Sequence, residues 1–214
     1  RHEFLKRFIS SLILISIIIF LITEGSLFLN LFILFCLIIS LYEWYMMREN
    51  NIHYITGIVF LILSFYSVFR LTNFETGYFY FIFILIICIS TDIGGYIFGK
   101  IFKGKKLIKI SPNKTYSGMF GSFILSLLSS YLFLQLTTIF HYLKFNSINT
   151  LIFILLISLI SQVGDIIISY FKRKSKIKNT GNIIPGHGGL LDRIDGMIFA
   201  FPFGYLFLSL EILK

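Results

Sequence analysis

Apolar stretches of about twenty residues follow one another along this chain with only short polar breaks, and that spacing limits its fold more than any other feature. A bilayer core about 30 Å thick is crossed by roughly 20 residues of helix. In lipid, a spanning segment must satisfy its own backbone polar groups, which a helix does. The spacing predicts an all-α, polytopic transmembrane protein of about seven spans, near 7–23, 27–47, 54–71, 77–99, 117–140, 149–171 and 193–213. Composition agrees, since 57% of the 214 residues are hydrophobic, more than a soluble domain of this length can hide. No soluble domain fits between the spans, and no tandem repeat is visible.

Residues 5–22 resemble a secretory signal in length, but no small-residue cleavage site follows and a second apolar run begins at once, so we read a retained helix. The chain opens on Arg1 rather than Met, and a few preceding residues are expected to be missing. Cys36 and Cys88 lie deep in apolar runs without metal-like spacing; we read them as small core residues, which leaves the redox compartment open.

Seven crossings put the N-terminus, Arg48 and the loops at 100–116 and 172–192 on one side. That side holds 16 of the 19 Lys and Arg residues; Arg70, Lys144 and Lys214 fall on the other. The bias predicts a cytoplasmic N-terminus and basic loops facing the cytoplasm. The net charge of +9 then reports topology and anionic headgroups, with no nucleic acid involved.

Carboxylates are costly in a bilayer and are kept there mostly for function. Asp92 and Asp165 each precede the basic end of a span by six or seven residues, on the order of 10 Å of helix. Asp192 and Asp195, three apart, share a face at the start of the last span. Four acids converging at one face would repel unless cations stood between them, and hard oxygen donors point to Mg²⁺ or Mn²⁺, two divalent ions being the expected number. Taken singly, Asp92 and Asp165 also read as structural acids hydrogen-bonded to neighbouring helices. Glu43, beside Trp44 at a span end, reads first as an interfacial anchor.

The basic loops add anion-binding groups. Lys172 and Arg173 follow Ser169 by three and four residues and share a helix face above Asp165. Ser111, Lys114 and Thr115 precede a helix expected near Ser117, whose free N–H groups suit an anion. Gly186, Gly188 and Gly189 around His187 let backbone N–H groups approach a phosphate, with a flexible turn as the alternative reading. Gly95 and Gly99 have the small-xxx-small spacing of helix packing.

Taken together, Ser169-Tyr170-Phe171-Lys172-Arg173, Lys178, and Pro185-x-His187-Gly188-Gly189-x-x-Asp192-Arg193-x-Asp195 resemble the signature of phosphatidate cytidylyltransferases, the CDP-diacylglycerol synthases. Gln162-Val163-Gly164-Asp165, Asp92 with Gly94-Gly95-Tyr96 and Gly99, and Ser111-Pro112-x-Lys114-Thr115 with Gly118 are similar to that family too. The resemblance covers about residues 90–200, and Glu43-Trp44 extends it to the second span. Departures are Asn179 where the family usually has Asp, Ile168 for a common Glu, Ser117 for a frequent Glu and Ser122 for a frequent Gly.

The resemblance implies that CTP and phosphatidate give CDP-diacylglycerol and diphosphate, with residues 1–76 as N-terminal helices and 77–214 as the catalytic region. It implies metal ligation by Asp165, Asp192 and Asp195, assisted by Asp92, and anion neutralisation by Lys172 and Arg173. Substrate contacts would come from Ser111, Lys114, Thr115, Ser169, Lys178, His187, Gly188, Gly189 and Arg193. Membrane lipids are expected partners, a homodimer is an open arrangement, and a bacterial inner membrane is the expected location. A CTP-dependent polyprenol kinase is the alternative enzyme, separable by its products. A cation channel or proton-coupled transporter would place acids along a whole transmembrane path, whereas these gather at one side.

Overall fold

The computed structural model describes residues 26–47, 51–74, 76–108, 111, 114–136, 148–183 and 188–210. The expected span at 7–23 lies outside them. Among the described residues every regular element is a helix: α1 Ser26–Met46, α2 Asn51–Thr72, α3 Gly77–Phe102, α4 Tyr116–Leu136, α5 Ile148–Lys174, α6 Leu191–Ile194 and α7 Met197–Ser209. Lys106 and Thr115 form an isolated antiparallel bridge.

α1 to α5 are long and apolar enough to cross a membrane. α3 and α5 run three residues beyond the expected ends, to Phe102 and Lys174, because charged residues leaving the bilayer still support a helix. The last expected span, 193–213, is instead divided. α6 has four residues and α7 thirteen, the latter well short of the roughly 20 that cross a bilayer. Asp195 and Gly196 between them keep helical dihedrals, so the chain keeps its direction through the division. Five helices long and apolar enough to span are therefore present among the described residues, where seven spans were expected from the whole chain.

The chain forms two compact units, one of Arg1–Tyr78 with Tyr170–Asp195 and one of Phe79–Ser169 with Gly196–Lys214. In the first, α1 packs on α2 and touches α6. Trp44 is buried at this contact, where its indole fills the space a side chain at Gly57 would need and donates to the Tyr54 carbonyl at 3.1 Å. Its ring meets Phe171 edge-on at 5.1 Å. Trp44 is thus a packing residue inside protein.

The second unit has an aromatic core in which Phe83 stacks between Phe133 and Phe153, and Phe81 stacks on Phe201. Its α3 and α4 cross on glycines. A Cβ at Gly94 would come within 2.5 Å of the Gly121 carbonyl oxygen, and one at Gly118 within 2.7 Å of that of Gly95. Ser122 adds a 2.7 Å hydrogen bond to the Thr91 carbonyl, and the Thr91 hydroxyl donates to Ser158 of α5 at 2.8 Å. Small residues let helix backbones approach closely, and hydroxyls tie them together where lipid offers no partner.

Candidate active site

The end of α5 sets up the first unit's polar cluster. Past Lys174, the N–H of Lys176 donates to the Arg173 carbonyl at 3.1 Å and that of Ile177 to the Lys172 carbonyl at 3.0 Å. With Lys176 at φ 56°, this is a Schellman closure. A left-handed conformation costs a non-glycine residue about 1–2 kcal/mol, and Lys176 bears that cost to turn the chain back. Ser175 reinforces the turn by donating to the Met47 carbonyl at 2.8 Å.

The turn delivers Thr180 to Asp192. One Asp192 oxygen accepts from Lys172 Nζ at 2.7 Å; the other accepts from the N–H groups of Thr180 at 2.9 Å and Gly189 at 3.1 Å. Lys172 Nζ also lies 4.0 Å from Asp195 Oδ2. Lys172 and Asp195 are each only 9% exposed. Burial alone would raise the Asp192 carboxyl pKa, but the Lys172 hydrogen bond, the Thr180 N–H, the Lys172 charge and the Gly189 N–H outweigh it and hold the group below the usual carboxylate range.

On the other side of the same loop stands Glu43. It is 1% exposed, one turn before the end of α1, and accepts three hydrogen bonds. The Thr180 hydroxyl reaches it at 2.7 Å and the N–H groups of Leu190 and Leu191 at 2.8 Å each. The anchor expected at this position is in fact a buried acceptor. Gly189 fits between the two acids only because it lacks a side chain, since a Cβ there would lie 2.5 Å from Glu43 Oε2. Gly188 adopts φ +89°, which a side chain would strain. The backbone N–H groups of Gly189, Leu190 and Leu191 are thus directed at Asp192 and Glu43. Arg173, Lys178 and Arg193 are exposed. His187, with Pro185 and Gly186, lies outside the described residues.

The second unit holds the other candidates. Asp165 accepts from Ser169 at 3.2 Å, as residues four apart on one helix face can, and forms a 2.5 Å ion pair with Lys114. Lys114 Nζ also lies 3.5 Å from the Gln162 carbonyl. The loop before α4 presents Lys114 by folding on itself, with the Leu107 N–H on the Lys114 carbonyl, the Lys114 N–H on that of Ser111, and the Tyr116 N–H on that of Lys105. Thr115 caps α4, its hydroxyl accepting the Gly118 N–H at 3.1 Å and pairing with Ser117 at 3.0 Å. Asp92 is exposed on α3, two residues before the glycine crossing.

The four acids thus fall two to each unit: Asp192 and Asp195 in the first, Asp92 and Asp165 in the second. Among the described residues no group of three or more His, Cys, Asp or Glu side chains is close enough to hold a metal ion. Thr180 and Ser117 take part here without a local sequence signal for it, and Glu43 does so from a position that reads as an interfacial anchor. The one signal for Glu43 was a carboxylate inside an apolar run.

Residues 49–211 match the model of the cytidylyltransferase family. The phosphatidate cytidylyltransferase of Rickettsia typhi is 35% identical over 207 residues, which cover 92% of this chain and 88% of that protein. The protein of the same name from Rickettsia bellii is 39% identical over 171 residues, 75% of this chain and 71% of its own. That of Bacillus subtilis is 36% identical over 154 residues, 71% of this chain and 56% of its own.

Proposed function

The chain belongs to the cytidylyltransferase family, and on that footing we propose that it is a phosphatidate cytidylyltransferase, joining CTP and phosphatidate into CDP-diacylglycerol with release of diphosphate. The observation that carries this reading is the buried Lys172 ammonium, fixed 2.7 Å from Asp192 and 4.0 Å from Asp195 inside the family-matching segment. Phosphatidate is already an anionic nucleophile, so its phosphate oxygen attacks the α-phosphorus of CTP in line without a strong general base. The demand is charge, because two anions must meet and a third must leave. Lys172 meets it with an ammonium already oriented by Asp192, and Arg173 and Lys178 offer exposed cations on the same segment of chain. Lys114, held by Asp165, supplies another at the start of α4. Ser111, Thr115, Ser169, His187, Gly188, Gly189 and Arg193 complete the proposed substrate contacts, and residues 77–214 form the proposed catalytic region.

Mg²⁺ or Mn²⁺ belongs to the proposal as well, with Asp165, Asp192 and Asp195 as ligands and Asp92 assisting. Their hard oxygens are the donor type such ions take. Three of these acids, Asp165, Asp192 and Asp195, already face an ammonium within ion-pair range, which supports reading them as positions that accept a cation. A bound divalent ion would neutralise the triphosphate and stabilise its displacement. The basic loops are proposed to face the cytoplasm of a bacterial inner membrane, so that CTP arrives from solution and phosphatidate from the adjoining leaflet.

Purified protein given CTP, phosphatidate and Mg²⁺ should release diphosphate only when all three are present, and EDTA should stop it. Asp165→Asn and Asp195→Asn should each abolish that release while the protein still inserts. Wild-type turnover in both variants would refute their assignment.

A further inference from the structure

We propose that Glu43, in a helix outside residues 77–214, is a positioning residue for the reaction. It clamps the loop formed by Thr180 and Gly189–Leu191, and so fixes Asp192 and the ammonium of Lys172. The proposal rests on the function given above and adds to it a residue of the N-terminal helices.

Thr180 and the 189–191 backbone are shared between two acids. Thr180 gives its N–H to Asp192 and its hydroxyl to Glu43. Gly189 gives its N–H to Asp192, and the next two residues give theirs to Glu43. The two carboxylates therefore share Thr180 and the 189–191 backbone as donors, and Asp192 in turn orients Lys172. Glu43 is more deeply buried than Lys172 or Asp195, with relative exposures of 1%, 9% and 9%. Its partners among the described residues are three neutral donors, and those of Thr180 and Leu191 are buried groups that need an acceptor. Glycine at 181 and 189 keeps the space beside the carboxylate open, since a Cβ at Gly181 would lie 2.9 Å from Glu43 Oε1 and one at Gly189 2.5 Å from Oε2. A lipid-interface anchor needs none of this.

Glu43→Gln tests the idea, because the amide keeps the shape but turns an NH₂ toward donors. The full chain in detergent would be compared with wild type by hydrogen–deuterium exchange and by steady-state kinetics. Exchange should rise about tenfold or more at peptides covering 180–183 and 188–192 and stay unchanged in α2 and α4. kcat should fall by about 10- to 100-fold, as losing the partner of an active-site group commonly does, with little change in KM for CTP. Thr180→Val removes one donor of the same clamp without touching α1. It should loosen the same peptides, and combined with Glu43→Gln it should cost less than the sum of the two. Unchanged exchange in the loop, or exchange rising equally along the whole chain, would overturn the proposal. So would full kcat in folded Glu43→Gln. If Glu43→Gln does not fold, Thr180→Val carries the test alone on the same exchange criterion. A wild-type protein that makes no CDP-lipid would count against the function, whereas the exchange result judges the clamp by itself.

Discussion

Lys172 ends an apolar helix yet is only 9% exposed, a place an ammonium keeps only against a carboxylate. Removing one partner of such a pair leaves the other charge buried, at about 3–5 kcal/mol when burial is complete. Lys172→Met should cost toward the lower figure, because Asp192 keeps two N–H donors; chemical denaturation in detergent would measure it. The same pairing gives a pH signature. Asp192 has a depressed pKa, so its stabilisation is fully present above the unfolded value of about 3.9 and is lost as pH falls through the lower folded value. The melting difference between wild type and Asp192→Asn should therefore stay constant from pH 7 to about pH 4 and shrink only below that. A difference already fading near pH 5 would contradict the geometry. These acids were legible in the sequence because a carboxylate among apolar residues stands out. The role of Glu43 was not, since its partners lie 137 to 148 residues away and no local pattern encodes them.

Among the elements, hydropathy located the helices and missed mostly their ends. α3 and α5 outlast their apolar runs, because helical hydrogen bonding does not stop where lipid does. The glycine spacing near Asp92 predicted a close crossing, and α3 and α4 make one with backbone against backbone. Gly94→Ala should therefore force the helices apart and destabilise by about 1–3 kcal/mol, the usual cost of overpacking. Thermal unfolding in detergent would show it as a lowered Tm. An unchanged Tm would mean that the crossing can yield. The glycine-rich loop before α6 was legible as a special backbone but not in its use: the Gly189 N–H, expected to approach a phosphate, points to Asp192, and those of Leu190 and Leu191 point to Glu43. Only the position of a distant helix decides that.

For the whole molecule, the apolar runs announced a membrane protein and the motif spacing its family, as both survive in composition and local order. The joining of Tyr170–Asp195 to the N-terminal helices is non-local and left no trace in periodicity. The proposed orientation can be read by labelling. A single Lys176→Cys in a chain lacking Cys36 and Cys88 should react with a membrane-impermeant maleimide in inverted vesicles and stay unreactive in intact cells. The reverse pattern would overturn it. The proposed chemistry has its most direct test in the fate of the nucleotide's phosphorus atoms. With CTP labelled at the α-phosphorus, the label should appear in a lipid product, and with the γ-phosphorus labelled it should leave as diphosphate; γ label in the lipid, with CDP released, would contradict the account.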